Sequence, residues 1–235
     1  MSEYNNNYYT ADATRVFFRN VYTYMFGALG ISGILAYMVG TNLQYFANLF
    51  LTADGQISLT FYAVVFSPIL ISIAIQWGVE RFSMGILTLL FVAYSALMGL
   101  SLSTIFIAFP MGDIIRTFFV SAGAFGGMAL LGYTTKVDLT KFGSLLYMVL
   151  IGMIIASLVN MFTKSGELDF IISCIGVFVF TGLTAYQMQQ LKELSQDTSL
   201  LSLDRNKLAL IGGLQLYILF INLFLSLLRI LGSRE

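Results

Sequence analysis

Leu145-Leu146-Tyr147-Met148-Val149-Leu150-Ile151-Gly152-Met153-Ile154-Ile155-Ala156-Ser157-Leu158-Val159-Asn160-Met161-Phe162 carries no charged side chain. A run of roughly 20 residues of this character is long enough to cross the hydrocarbon core of a bilayer as a helix. Similar runs recur on both sides of it, over about Val21–Val39, Leu59–Trp77, Phe82–Phe106, Ile114–Tyr133, Phe170–Met188 and Leu208–Leu231. Between them lie short turns: Gly78-Val79-Glu80-Arg81, the Pro110-Gly112-Asp113 region, the Lys136-Asp138-Lys141 region and Lys164-Ser165-Gly166-Glu167. A polar loop with Asn42, Asn48, Asp54, Gly55 and Gln56 follows the first run, and Lys192 to Lys207 forms the longest late loop.

Composition agrees with this reading. The chain is 58% hydrophobic and 10% charged, with a mean hydropathy of +0.85. Soluble domains carry about a quarter charged residues, so lipid has to be the solvent here. The expected fold is an all-α integral membrane protein of seven transmembrane helices. A polar N-terminal tail (1–20) precedes a single transmembrane domain (21–232) and a short C-terminal tail (233–235). No signal-peptide pattern is visible in the polar, aromatic first 20 residues, and the first run reads as a retained span. With the N-terminus inside, lysine and arginine divide eight inside (Arg15, Arg19, Arg81, Lys136, Lys141, Lys192, Arg205, Lys207) to four outside (Arg116, Lys164, Arg229, Arg234). That favours a cytoplasmic N-terminus.

Several chemistries are excluded at once. Histidine is absent, which removes Ser-His-Asp and Cys-His catalysis, His-ligated zinc and histidine pH switches. The lone cysteine, Cys174, permits no disulfide within the chain, and its neighbours Ile171, Ile172 and Ile175 suggest a buried thiol. Zero net charge gives no pull on nucleic acid. No mid-span lysine is available as a retinal-type Schiff base or protease base, since Lys207 lies at a span end. An aspartyl intramembrane protease would need two mid-span carboxylates, which are missing. The chain reads as no enzyme, with no cofactor and no metal site.

Glycines are the visible packing handles. Gly27, Gly30 and Gly33 recur in the first span, and Gly123 with Gly127 makes a GxxxG pair in the fourth. Small residues let helices approach closely in lipid, and packing within the chain is the expected use, ahead of dimerisation.

Polar groups inside a membrane are expensive and so informative. Gln215, Asn222, Ser226 and Arg229 are spaced 7, 4 and 3 residues apart in the last span, and fall on one stripe of a helix. Leu219 interrupts the stripe at its centre. The sixth span offers Thr181, Thr184 and Gln187, with Gln189 and Gln190 near its inner end; the fifth adds Asn160. Two readings stand: interhelical hydrogen bonds, or the wall of a polar conduit. Arg81 is either a positive-inside anchor or a group reaching into a conduit mouth.

The same residues carry a resemblance. Thr181-Gly182-Leu183-Thr184-Ala185-Tyr186-Gln187-Met188-Gln189-Gln190-Leu191-Lys192 resembles the sixth-span signature of the Bax-inhibitor family. The seventh-span signature is matched by Leu216-Tyr217-Ile218-Leu219-Phe220-Ile221-Asn222-Leu223-Phe224 with Leu227-Leu228-Arg229 and Gly232. Gly99-Leu100-Ser101-Leu102-Ser103-Thr104-Ile105 is similar to the third-span motif, and Phe17-Phe18-Arg19-Asn20-Val21-Tyr22 to the opening. The likeness covers essentially the whole chain and is to bacterial members.

That resemblance implies six helices around a central seventh, and residence in a bacterial inner membrane. It also implies a pH-sensitive calcium leak, or association with a membrane-anchored ATP-dependent protease. The family's leak rests on two aspartates, one in each late span, that share a proton when closed, with an arginine near the inner mouth. Gln187 and Leu219 stand at the two aspartate positions here, and Arg81 matches the arginine. Every carboxylate of the chain falls in a tail, a loop or a span end, so nothing replaces the pair. Two function readings follow: a leak pathway for calcium or another cation without the di-aspartate latch, with Arg81, Thr184, Gln187, Gln215, Leu219, Asn222 and Ser226 as candidate conduit or gate, or a non-transporting regulator bound to a membrane protease or another integral protein.

Overall fold

Inside hydrocarbon a backbone N–H or C=O has no water to bond, so each apolar run must close its hydrogen bonds within itself as a helix. The computed structural model describes the backbone of residues 2–196 and 202–233, and side chains of residues 12–196 and 205–233. Its helices are α1 (Ser2–Gly40), α2 (Leu43–Phe50), α3 (Leu59–Gly78), α4 (Met84–Leu102), α5 (Ile105–Ala108), α6 (Met111–Thr134), α7 (Thr140–Thr163), α8 (Gly166–Gln196) and α9 (Ser202–Leu231). Seven stretches within them are long and apolar enough to span: Asp12–Gly40, Leu59–Gly78, Met84–Ala108, Met111–Thr134, Thr140–Thr163, Gly166–Gln196 and Arg205–Leu231. The protein is an all-α, multi-pass membrane protein.

Helix ends differ from the sequence reading in instructive ways. Residues of the polar N-terminal segment continue the first span as helix. The loop after it contains α2, which the polar residues around it hid. Asn42 caps α2 by accepting from the N–H groups of Gln44 and Tyr45 at 3.1 and 3.2 Å, and Phe50 anchors it, buried against Phe46 and Phe61. The third span is not one helix. Ser103 and Thr104 turn their hydroxyls onto the carbonyls of Leu100 and Ser101 at 2.6 and 2.9 Å, competing with the helical ladder, and α4 gives way to the short α5. The expected late loop is largely helical: α8 runs on to Gln196 and α9 already begins at Ser202.

The chain divides into two compact units. In the first, α1 and α3 both pack on α4, while α2 links α1 to α3; the first half of α9, through Tyr217, belongs here. The second holds α6 and α7, each packed on α8, and α9 from Ile218 onward. Burial is concentrated at the end of the chain. In the most apolar window of each span, 61% of residues are buried in the seventh and 50% in the sixth, against 17–33% in the first five. The seventh span is thus the most interior of the seven, and the others turn large apolar faces outward, such as Trp77, Phe119, Met148 and Phe162.

Two sequence expectations fail here for one reason. Cys174 is exposed, not buried, because in a membrane helix apolar neighbours mark the lipid face as readily as the core. A Cβ placed on Gly27, Gly30, Gly33, Gly123 or Gly127 would meet nothing within 4 Å, so these glycines are not where the helices touch. Close approach occurs instead at isolated glycines. Gly99 lies against the Ser32 backbone, Gly213 against Val21 and Tyr24, Gly132 against Ala185, Gly143 against Tyr186 and Gly176 against Ser226.

Candidate functional site

Five of the sequence-selected residues share the second unit. Thr184 is wholly buried on α8 and donates to the Phe180 carbonyl one turn back at 2.7 Å. Gln187 is buried one turn further on. On α9, Leu219 is buried, Asn222 is half-buried and Ser226 is buried. Asn222 gives its Nδ2 to the Ile218 carbonyl at 2.8 Å, and Ser226 packs where Gly176 leaves room on α8. The other two, Arg81 and Gln215, belong to the first unit. Arg81 is exposed in the turn between α3 and α4, and Gln215 is half-buried on α9.

Thr184 and Asn222 bond to carbonyls of their own helices, which leaves little polarity to line a wet passage. Around the same stretch of α9 the fill is aromatic. Phe220 sits edge-to-face with Phe118 and Phe125, each at 5.5 Å between centroids, and Phe224 packs on Phe118 at 6.3 Å. Such pairs contribute about 0.5–1.5 kcal/mol each beyond area burial. Leu219, next to Phe220 in the chain, is itself buried at 9% exposure.

Among the described residues, several carboxylates lie at helix ends or in loops. Asp113 and Asp169 lie in the first turns of α6 and α8, where negative charge is favourable. Asp169 holds Arg229 at 3.6 Å, so the arginine of the polar stripe is an ion-pair partner rather than a free snorkelling group. Asp113 accepts from the Ser233 N–H at 2.8 Å and fastens the end of α9. Asp138 lies in the α6–α7 loop, where hydrogen bonds from Thr140, its side chain first and then its N–H, hold the carboxyl below its ordinary pKa. No cluster of three metal-ligating side chains occurs among the described residues. Asp197 and Glu235, and the side chains of Glu3 and Asp204, lie outside the described residues.

One polar residue does more than its sequence position revealed. Gln189, buried near the C-terminal end of α8, accepts from the Leu139 N–H and donates to the Val137 carbonyl, both at 2.8 Å. One turn on, Lys192 donates to the Tyr133 carbonyl at 2.8 Å and lies over the Tyr133 ring, capping α6. In the first unit, Lys207 caps α3 in the same way through the Val79 carbonyl at 2.9 Å. Cations are favoured at helix C-termini. A Gln189→Leu variant should lose both loop bonds and leave two backbone groups poorly satisfied, at about 1–3 kcal/mol. Limited proteolysis reads this out as faster cleavage between Thr135 and Leu139; an unchanged rate would make the clamp dispensable.

Known proteins bear the same pattern over nearly their whole length. A protein of Borreliella burgdorferi is 44% identical over 223 residues, covering 93% of this chain and 92% of the relative. The inner membrane protein YbhL of Escherichia coli K12 is 41% identical over 226 residues, covering 94% and 93%. Protein RP147 of Rickettsia prowazekii is 38% identical over 224 residues, covering 95% and 92%. The family model described as "Inhibitor of apoptosis-promoting Bax1" matches residues 14–235. With seven spans, the late-span motifs in place and a match of this extent, the chain belongs to the Bax-inhibitor family.

Proposed function

We propose that this chain works in a bacterial inner membrane, with its N-terminus in the cytoplasm, as a leak pathway for calcium or a related cation that has no titrating latch. The observation that carries this reading is the pair Gln187 and Leu219. Both are buried in the second unit, at the positions where the family motif places its aspartates. A glutamine amide donates and accepts but does not titrate, and a leucine does neither. Two neighbouring carboxylates would share a proton and open as it leaves; these two side chains have no such equilibrium. The placement of the basic groups supports the orientation. Lysine and arginine divide eight to four between the two sets of loops, with Lys192 and Lys207 among the eight. The role is non-enzymatic and calls for no cofactor or bound metal.

Proteoliposomes holding the full chain and a calcium indicator test this. Efflux should be weak and change less than about twofold between acidic and neutral pH, because no path carboxylate titrates there. Strong efflux blocked by acid would contradict the proposal.

A second reading is favoured by the aromatic packing of Phe220 and Phe224 on Phe118 and Phe125 in the second unit. An aromatic-filled, apolar centre suits a protein that conducts nothing and acts by binding a membrane-anchored protease or another integral protein. A pull-down of the tagged chain in mild detergent should then recover such a partner from stressed cells, while recovery of the bare chain would count against it.

A further inference from the structure

The segment between α1 and α3 is more than a polar tether. Span α3, Leu59–Gly78, is 20 residues long, about 30 Å of helix, which matches the thickness of the hydrocarbon core. Leu59 therefore stands at the edge of the acyl region, at the end of α3 opposite Trp77. Here α2 packs on both α1 and α3. The backbone that joins α2 to α3 closes on itself. The Thr52 N–H donates to the Gln56 carbonyl and the Ser58 N–H to the Phe50 carbonyl, each at 2.8 Å, and Leu51 pairs with Ile57 across the turn. These bonds satisfy peptide groups that hydrocarbon cannot satisfy.

The helix itself divides lengthwise by polarity. Leu43, Phe46, Ala47 and Phe50 fall at helical spacing on one face, and Gln44 and Asn48 on another. Protein covers only part of the apolar face. Phe50 is buried, and Phe46 and Ala47 are half-buried. Leu43, by contrast, is 71% exposed, and Tyr45, at the border of the face, is 61% exposed. This bare part adjoins the apolar surface that the spans turn outward: Tyr37 and Met38 end the exposed face of α1, and Leu59 and Tyr62 begin that of α3. No Asp, Glu, Lys or Arg occurs from Asn20 to Ala53, so charge has no part in what the face attracts.

We propose that α2 is an interfacial anchor whose partner is the lipid surface: Leu43 and Tyr45 sink among the headgroups and upper acyl chains, and Gln44 and Asn48 face water. A helix with one apolar and one polar face, held beside the hydrocarbon edge, takes this position. Tyrosine suits that depth because its ring is apolar and its hydroxyl is wet. Phe50, stacked edge-to-face on Phe46 and Phe61 at 4.9 and 5.5 Å, fastens the helix to the bundle, so the anchor fixes the α1–α3 junction to the bilayer. With no charge on the segment, the attraction is to the apolar boundary and is indifferent to headgroup charge. The anchor is independent of Gln187 and Leu219, and stands whether or not the chain conducts ions.

Spin labels read this depth directly by electron paramagnetic resonance. On a Cys174→Ser background, which removes the only native cysteine, Leu43→Cys, Gln44→Cys, Tyr45→Cys and Asn48→Cys each carry one nitroxide. All four positions are exposed, so the fold tolerates the label. The full chain is reconstituted in phosphatidylcholine vesicles with and without phosphatidylglycerol. Labels at Leu43→Cys and Tyr45→Cys should collide mainly with lipid-soluble oxygen and sit about 5–10 Å into the boundary. Those at Gln44→Cys and Asn48→Cys should collide mainly with a water-soluble nickel chelate, and the pattern should be the same in both lipids. Nickel access at all four positions would put α2 in water. Shielding of Leu43→Cys and Tyr45→Cys from both reagents would mean that protein, a second copy included, covers the face. A pattern seen only with the anionic lipid would mean recognition by charge. Each of these three results overturns the proposal.

Discussion

Introducing Leu219→Asp together with Gln187→Asp should convert a pH-indifferent chain into one whose calcium efflux is suppressed in acid and rises toward neutral pH by about tenfold or more. Both side chains are buried in the same unit, on the two helices that the family motif pairs. At low pH one shared proton would bridge the carboxylates and hold α8 to α9. As pH rises through the higher of the pair's two titrations, that proton leaves, and two buried negative charges repel. The substitution is costly: an aspartate at a helix centre adds about 2.5–3.5 kcal/mol on insertion scales, so the folded yield should fall. Efflux per correctly reconstituted molecule, measured from acidic to neutral pH, is the quantity that decides. An unaltered pH profile in well-folded protein would mean that the two positions do not form a pair, and would sink the latch assignment.

Gly132 should be the least replaceable glycine of the second unit. A Cβ there would overlap the backbone carbonyl of Ala185, two residues before Gln187. The obstacle is main chain, which cannot rotate aside as a side chain can, so α6 and α8 must separate along the contact. Overpacking of this kind costs about 1–3 kcal/mol, occasionally more, and outweighs the ~1 kcal/mol by which alanine is the better helix former. Gly127, on the same helix, has open space around its Cβ direction, so Gly127→Ala should gain rather than lose stability. Thermal melts of Gly132→Ala and Gly127→Ala in detergent should shift in opposite directions. Shifts of the same sign would refute the close approach of α6 to α8.

This contrast marks the limit of sequence reading in lipid. The GxxxG spacing of Gly123 and Gly127 looked like a packing motif, whereas the glycines that admit a neighbour, Gly99, Gly132 and Gly213, stand outside it. Spacing reports which residues share a helix face. It does not report whether that face meets protein or lipid, because both are apolar. The exposure of Cys174 has the same cause. In a soluble protein isoleucine neighbours point inward; here they point as often to the bilayer. The helix α2 is not legible in the sequence because eight residues between polar flanks lack a periodic signal strong enough to outweigh Asn42, Asn48 and Asp54. Gln189 reads as polar in the sequence but not as a clamp, since its partners at Val137 and Leu139 are some fifty residues away in the chain.

The candidate site was legible in part. Motif matching singled out Gln187 and Leu219, and the structure buries both. The members of the polar stripe of α9 have different surroundings: Ser226 is packed on α8, Asn222 bonds to its own backbone, and Arg229 is held by Asp169. The burial of Tyr217 carries no sequence signature, because tyrosine in an apolar span reads equally as an interface anchor or a core ring.

By itself the sequence determined that the chain lives in lipid, how many times it is long enough to cross, and that no acid stands in the middle of its late spans. These depend on length, hydrophobicity and residue type, which act locally and need no knowledge of neighbours. Tertiary structure alone decided which faces are inside, which glycines let helices touch, and which polar groups find partners. Each of those is a property of two or more segments brought together, and a uniformly apolar surface gives no advance notice of what will cover it.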